Sequence, residues 1–266
     1  MRFLRKYPVT LNELLIAPLV FRENLPLLRD LPEVSGNAMR DVAEFGGHSA
    51  GAVRTAMSRL RAAGAIEAIA GDVTRYRIGP FGRSIGMAVK QRVERPEGFL
   101  LAVFSFAAGD ARERQVVRDA LRGHGFQKLA QNVYINGQID TTELERIIRD
   151  DGLGDHFFLF RADDRDPARD QRLAALFDVK KRAALLRRFE ADLHAYVEEP
   201  GIDDDEFARR FIAAGPAHYR ITFVEEPPLP ARCLPADYPL ERLQAYFELT
   251  PARCRALVAY YRRLSI

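Results

Sequence analysis

The sequence predicts an α+β protein, and three stretches of different character support this fold class. The first hundred residues show helical apolar stripes followed by a short hairpin, the next seventy alternate strand and helix, and the rest is mainly helical. A length of 266 residues suits two or three domains of ordinary size. We therefore expect domains at residues 1–95, 96–168 and 169–266.

The N-terminal domain is expected to begin with helices. Pro18 lies within the apolar stripe of an early helix, where its ring removes a backbone donor, so a kink or break is expected there. Ser35 and Ser49 are N-cap candidates for two further helices, because their hydroxyl groups can accept from free backbone N–H groups. Gly64 is expected to end the second of these helices.

A β-hairpin should follow these helices. Two strand-like runs, 65–70 and 73–78, are joined by Gly71-Asp72, which are residues that favour a tight turn. Helix, turn, helix and hairpin in this order are typical of a winged helix-turn-helix.

The helix that begins at Ser49 has the composition of a recognition helix. Such a helix needs small or polar residues that fit the ~12 Å major groove, together with donors for base edges and phosphates. Two arginines on the second strand are two residues apart and so point the same way. The residues expected to contact duplex DNA are Ser49, Gly51, Arg54, Thr55, Ser58, Arg59, Arg75 and Arg77. An ordinary solvated helix and hairpin is the alternative.

The central domain is expected to be ferredoxin-like. A nearly continuous apolar run at 99–107 suits a buried strand, and the order strand, helix, strand, helix, strand follows. From residue 169 onward the pattern is mainly helical, with a stretch from Pro227 to Pro239 that contains too many prolines for a helix interior.

Signatures of enzymes and bound cofactors are scarce. The sequence has no Walker P-loop, no G-x-G-x-x-G after a strand, no G-x-S-x-G and no H-E-x-x-H. The five histidines are scattered singly, and the acidic runs match no EF-hand. We expect no catalytic residue, no metal site and no cofactor.

Charge, cysteine content and hydropathy bound the function further. There are 15 basic against 10 acidic residues before Gly98, and 25 against 27 after it, so the basic excess is N-terminal. Cys233 and Cys254 have no zinc-site spacing and are expected to be reduced thiols. No apolar run reaches the ~18–20 residues of a membrane span, and no signal-peptide pattern is present. A cytoplasmic protein without membrane contact is expected.

Three segments of the chain together point to one family. The first comprises Gly51 to Leu60, Ala63-Gly64-Ala65-Ile66, Tyr76-Arg-Ile78 and Phe81-Gly82; the second is Arg118 to Arg122 before Gly125-Phe126; the third is Glu226 to Pro230 with Leu234-Pro235. In this order they resemble the PaaX family of bacterial transcriptional repressors. The resemblance implies a homodimeric repressor of a catabolic operon, such as phenylacetate catabolism. Such a repressor binds an inverted-repeat operator and is released by an aryl-CoA thioester such as phenylacetyl-CoA.

The central domain also resembles the ferredoxin-like CRISPR-associated endonuclease fold. In that fold an aspartate at the end of the first strand supports metal-dependent phosphodiester cleavage, whereas the comparable place here is Phe104-Ser105-Phe106. We therefore expect a scaffold or dimerisation module. Two alternatives stay open: a metal-dependent nucleic-acid-processing enzyme that uses Asp110, and an adaptor whose winged helix holds a partner protein.

Overall fold

The chain is described by a computed structural model that covers residues 2–28, 30–79, 95–107, 110–137, 139–163, 166–246 and 250–264. It confirms the α+β class and forms two compact units. Unit 1 comprises Met1–Arg92, Leu186–Glu225 and Pro239–Ile266, and unit 2 comprises Val93–Leu185 and Glu226–Tyr238. These units divide the chain differently from the three expected domains, because residues 169–266 are shared between them.

Helices and strands are numbered in chain order. The helices are α1 Arg2–Lys6, α2 Leu11–Asn24, α3 Gly36–Phe45, α4 Ala50–Ala62, α5 Ala111–Gly123, α6 Thr142–Asp150, α7 Pro167–Leu176, α8 Val179–Val197, α9 Asp204–Tyr219, α10 Leu240–Ala245 and α11 Pro251–Leu264. The strands are β1 Val34–Ser35, β2 Ile66–Ile69, β3 Arg75–Ile78, β4 Phe99–Phe104, β5 Gln127–Ala130, β6 Val133–Gly137 and β7 Phe157–Ala162. None of the helices in the described ranges combines the length and hydrophobicity that a bilayer crossing requires.

Unit 1 contains the helices and hairpin expected near the N-terminus. The three-stranded sheet has the order β1-β3-β2, and both strand pairs are antiparallel. Helix α2 packs against α3 and α4, and α9 packs against α2, α3 and α11. The polar caps also form as expected: the side chain of Ser35 accepts from the Ala38 N–H, and that of Ser49 accepts from the Ala52 N–H.

Of the kink or break expected at Pro18, the break does not occur, because α2 continues through this residue to Asn24. A proline inside a helix removes one hydrogen bond and costs about 3 kcal/mol when nothing offsets it. Here Leu14, Leu15 and Leu19 are all buried, so packing against the neighbouring helices holds α2 together. The Pro18 carbonyl accepts from the Tyr261 hydroxyl at 2.8 Å, which ties α2 to α11.

The C-terminus of α4 is fixed by a glycine in the left-handed region. Gly64 has a φ of +68°, its N–H donates to the Arg61 carbonyl, and the next N–H, of Ala65, donates to the Leu60 carbonyl. These two bonds form a Schellman motif, which turns the chain out of the helix and towards β2.

Replacing Gly64 with alanine should lower the free energy of unfolding by about 1–2 kcal/mol, because a Cβ is strained in the left-handed region. No atom lies within 4 Å of the added Cβ, so strain rather than a clash is tested. Gly51→Ala is the matched control, because the Cβ added at this position also has no atom within 4 Å. Within a helix this change should raise the free energy of unfolding by up to about 1 kcal/mol. Urea unfolding measures both, and a loss of stability in both variants would contradict this reading.

Unit 2 is built on a four-stranded sheet. Its order is β5-β6-β4-β7, with antiparallel pairs throughout. One face packs on a core that includes Leu121 of α5 and Leu144 of α6. Part of the other face is covered by α7 and the proline-rich segment, while Phe158 and Phe160 on this face are 50% and 52% exposed.

Unit 2 also holds a buried carboxylate. The Glu226 side chain has no exposed surface and lies 2.8 Å from an Arg95 nitrogen and 3.3 Å from Arg182 Nε. The Tyr238 hydroxyl donates to it at 3.1 Å. Burial and the adjoining carboxylate raise the pKa of Tyr238, so its phenol keeps the proton that it donates. The charge is therefore paired and hydrogen-bonded, as a buried charge must be.

Candidate nucleic-acid interface

The outward surface of α4 is a narrow ridge of small residues. With 3.6 residues per turn, positions 51, 55, 58 and 62 form one stripe along the helix. They are occupied by Gly51, Thr55, Ser58 and Ala62, and all four are exposed. On the other side of the helix Val53, Ala56, Met57 and Leu60 are buried. The same amphipathic pattern that anchors α4 thus leaves a slim surface facing solvent.

Arginines flank this small-residue ridge on both sides. Arg54 and Arg61 lie on one flank and Arg59 on the other, about 140° around the helix from Arg54. All three are exposed, and within the described ranges none has a carboxylate partner. Residues 49–63 include no aspartate or glutamate. The helix therefore offers only positive charge to an approaching ligand.

A concavity with a volume of about 370 Å³ lies beside the flank of α4 that carries Arg54; we call it the α3–α4 concavity. Its lining comprises Gly36, Asn37, Arg40, Arg54, Met57, Ser58, Arg61, Val73, Thr74 and Tyr76. Arg40 comes from α3, so arginines of both helices meet here. None of these lining residues is acidic.

Ser49 and Thr55 also make hydrogen bonds with the backbone of α4, and Ser58 belongs to two surfaces. Ser49 is the N-cap, with its oxygen 3.3 Å from the Ala52 nitrogen. The Thr55 hydroxyl donates to the Gly51 carbonyl at 3.1 Å. Ser58 lines the concavity and lies on the ridge, so it connects the two surfaces.

The two strand arginines of the expected site, Arg75 and Arg77, are not among the residues that line the α3–α4 concavity. Arg75 and Arg77 share one face of β3, as expected, whereas Tyr76, which lines the concavity, is on the other face. Arg77 Nε lies 2.7 Å from a Glu67 carboxylate oxygen across the hairpin. The structure thus groups Ser49, Gly51, Arg54, Thr55, Ser58 and Arg59 on α4 and does not place Arg75 or Arg77 in the concavity. Phe81 and Gly82, also singled out by the sequence, lie outside the described residues.

Four polar residues of the concavity, Asn37, Arg40, Arg61 and Thr74, are not among the contacts predicted from the sequence. Arg61 follows Arg54 by seven residues, and this spacing of two helical turns was a usable signal. Asn37 and Arg40 belong to α3, and only the packing of α3 beside α4 brings them to this surface.

Helix α3 is held in place by the C-terminal part of unit 1. Asp41 of α3 accepts from Arg209 Nε at 2.8 Å and from the Tyr260 hydroxyl at 2.7 Å. Burial and the hydrogen bond to Asp41 raise the pKa of Tyr260, so it remains a donor. The Ser35 hydroxyl, at the start of α3, also donates to the Leu264 carbonyl. Helices α9 and α11 therefore position the α3 side of the concavity.

The place where the central fold would carry a catalytic aspartate has no carboxylate. Phe104 ends β4 and is followed by Ser105 and Phe106. The nearby Asp110 carboxylate accepts from the Ala107 N–H at 3.0 Å and so caps its own turn. Within the described ranges no group of three His, Cys, Asp or Glu side chains is arranged to hold a metal ion.

Comparisons with known proteins bear on the central domain and on the fold. Among solved structures the chain is similar to "Uncharacterized protein Rv0674 from Mycobacterium tuberculosis", with 19% identity, a TM-score of 0.60 and coverage of 95% of this chain and 100% of that one. At this identity the likeness shows the fold alone. No curated protein matches. The family model described as "PaaX protein central Cas2-like domain" matches residues 97–174. Over this central segment the chain is therefore similar to the central domain of PaaX proteins.

Proposed function

We propose that the chain is a transcriptional repressor that inserts α4 into the major groove of duplex DNA. The observation that carries this proposal is the small-residue ridge of α4, flanked by three arginines that have no carboxylate partner among the residues that the structure describes. The similarity of residues 97–174 to the PaaX central domain also supports a transcriptional regulator. Helix, turn, helix and hairpin in unit 1 is the arrangement of a winged helix-turn-helix.

The dimensions of α4 suit the major groove. A helix with its side chains is about 10–12 Å across, and the groove is about 12 Å wide and 8.5 Å deep. Gly51 and Ala62 add little width, so the backbone of α4 can approach the base edges closely. The exposed Thr55 carries a methyl group that suits contact with a thymine methyl, and the Ser58 hydroxyl can donate to or accept from a base.

The positive charge of this surface supports both affinity and selectivity for DNA. Each arginine that neutralises a phosphate releases condensed counterions, so the logarithm of the affinity falls by about 0.9 per contact for each tenfold rise in salt. Arginine also binds guanine O6 and N7 with two hydrogen bonds, which gives selectivity as well as affinity. A contribution from Arg75 and Arg77 through the wing remains part of the proposal.

The operator is proposed to be an inverted repeat bound by a homodimer. Two-fold symmetry in the protein requires half-sites about 34–36 Å apart, or a multiple of this spacing, so that both α4 helices enter the same side of the duplex. The effector is proposed to be an aryl-CoA thioester such as phenylacetyl-CoA, and the target a catabolic operon. Both proposals rest on the family resemblance.

Selection from a pool of random duplexes tests the proposed function. We expect enrichment of an inverted repeat, and fluorescence anisotropy with that duplex should show affinity that falls steeply between about 50 and 200 mM salt. Phenylacetyl-CoA is then added to the complex, with free CoA as control, and release by the thioester alone is expected. A pool that stays random, with no salt-dependent binding of any duplex, would contradict the proposal.

A further inference from the structure

The α3–α4 concavity has the features of an anion site. Arg40 of α3 converges there with Arg54 and Arg61 of α4, and no acidic residue lines it. Elsewhere in unit 1, arginines such as Arg209 and Arg242 are held by carboxylates at 2.8–2.9 Å. In the part of the chain that the structure describes, Arg40, Arg54 and Arg61 have no such carboxylate. Three arginines that line one concavity repel one another, so an anion bound between them relieves that repulsion.

Neutral donors accompany the three arginines. The Asn37 amide, the Ser58 hydroxyl and the Thr74 hydroxyl all border the concavity, and all three residues are exposed. Arginine with such short polar side chains is the set that proteins use to hold phosphate oxygens of nucleic acid. Met57 and Tyr76, both largely buried, form the apolar part of the lining.

The position of the concavity identifies the anion. Ser58 and Arg54 border it and also belong to the ridge or its flank, so a ligand held there is adjacent to the proposed groove-filling surface. With α4 in the major groove, as proposed above, the sugar-phosphate backbone that borders the groove would pass beside this flank of the helix. We propose that the α3–α4 concavity holds a phosphodiester group of the DNA backbone, with Arg40, Arg54 and Arg61 as its ligands. This inference rests on the proposed function and assigns Arg54 to the backbone rather than to a base.

Substitution of Arg40 and Arg61, the two arginines of the concavity that were not predicted as DNA contacts, tests this assignment in the intact chain. Arg40→Gln and Arg61→Gln should each weaken binding to the selected operator and to an unrelated duplex by the same factor. Each should also reduce the slope of log affinity against log salt by about 0.9. Arg5→Gln, an exposed arginine of α1, removes the same charge away from the concavity and should leave both quantities unchanged.

Three outcomes would overturn the inference. Wild-type slopes in both variants would show that the concavity carries no phosphate contact. A change in the ratio of operator to unrelated-duplex affinity would show a base contact instead. Inorganic phosphate that raises the melting temperature of the wild type but not of Arg61→Gln, with DNA binding unaffected, would show a site for a free anion. A wild-type chain that binds no duplex would instead refute the proposed function itself.

Discussion

Replacing Ser58 with glutamate is expected to abolish binding of duplex DNA by a chain that remains folded. Ser58 is exposed at the centre of the ridge and also lines the α3–α4 concavity. A carboxylate there faces the phosphates of both strands, and such like-charge contacts cost several kcal/mol, so at least a hundredfold loss of affinity is expected. Anisotropy with the selected operator measures this loss.

The fold should tolerate this charge, because glutamate is a better helix former than serine. A glutamate at position 58 also lies four residues after Arg54 and three before Arg61, where it can pair with either. Unfolding in urea should therefore show unchanged or slightly higher stability. Ala191→Glu, which adds the same charge at an exposed position of α8, should retain wild-type affinity. Equal losses in the two variants would mean that net charge, and not the ridge, governs binding.

Removing the buried Glu226 carboxylate should destabilise unit 2 by about 3–5 kcal/mol, because two arginines would be left without their shared partner. Arg95 and Arg182 are only 18% and 10% exposed, so water replaces the lost carboxylate poorly. The Tyr238 hydroxyl would also lose its acceptor. We expect Glu226→Ala to lower the midpoint of urea unfolding markedly, as monitored by circular dichroism.

The preceding residue provides a matched control. Glu225 is exposed and lies 3.5 Å from Arg220, which is itself partly exposed. Exposed ion pairs of this kind contribute about 0–1 kcal/mol. Glu225→Ala should therefore change the unfolding free energy by no more than about 1 kcal/mol. Similar losses for the two glutamates would show that the buried cluster around Glu226 adds little stability.

Local structure in unit 1 was predictable where one residue decides it. Ser35 and Ser49 cap helices because each serine is itself in the extended conformation, from which its hydroxyl reaches the N–H three positions on. Gly64 ends α4 because only glycine adopts its φ without strain. Pro18 was misjudged because the packing that sustains α2 comes from residues far along the chain.

The candidate site was predictable only in part. The ridge on α4 follows from helical periodicity, since the buried positions of that helix define the exposed ones. The contribution of Arg40 depends on how α3 packs beside α4, and periodicity within one helix contains no such information. The same holds for the grouping of residues 186–225 and 239–266 with the N-terminal helices, which depends on long-range contacts.

Protection of guanine N7 from methylation tests the central claim most directly, because N7 lies in the major groove. With the selected operator and saturating protein, we predict protected guanines in each half-site, on the side where α4 enters. The Ser58→Glu variant should leave the same guanines fully reactive. Unprotected N7 atoms in a duplex that the wild type has demonstrably bound would contradict the account, because α4 would then not lie in the major groove.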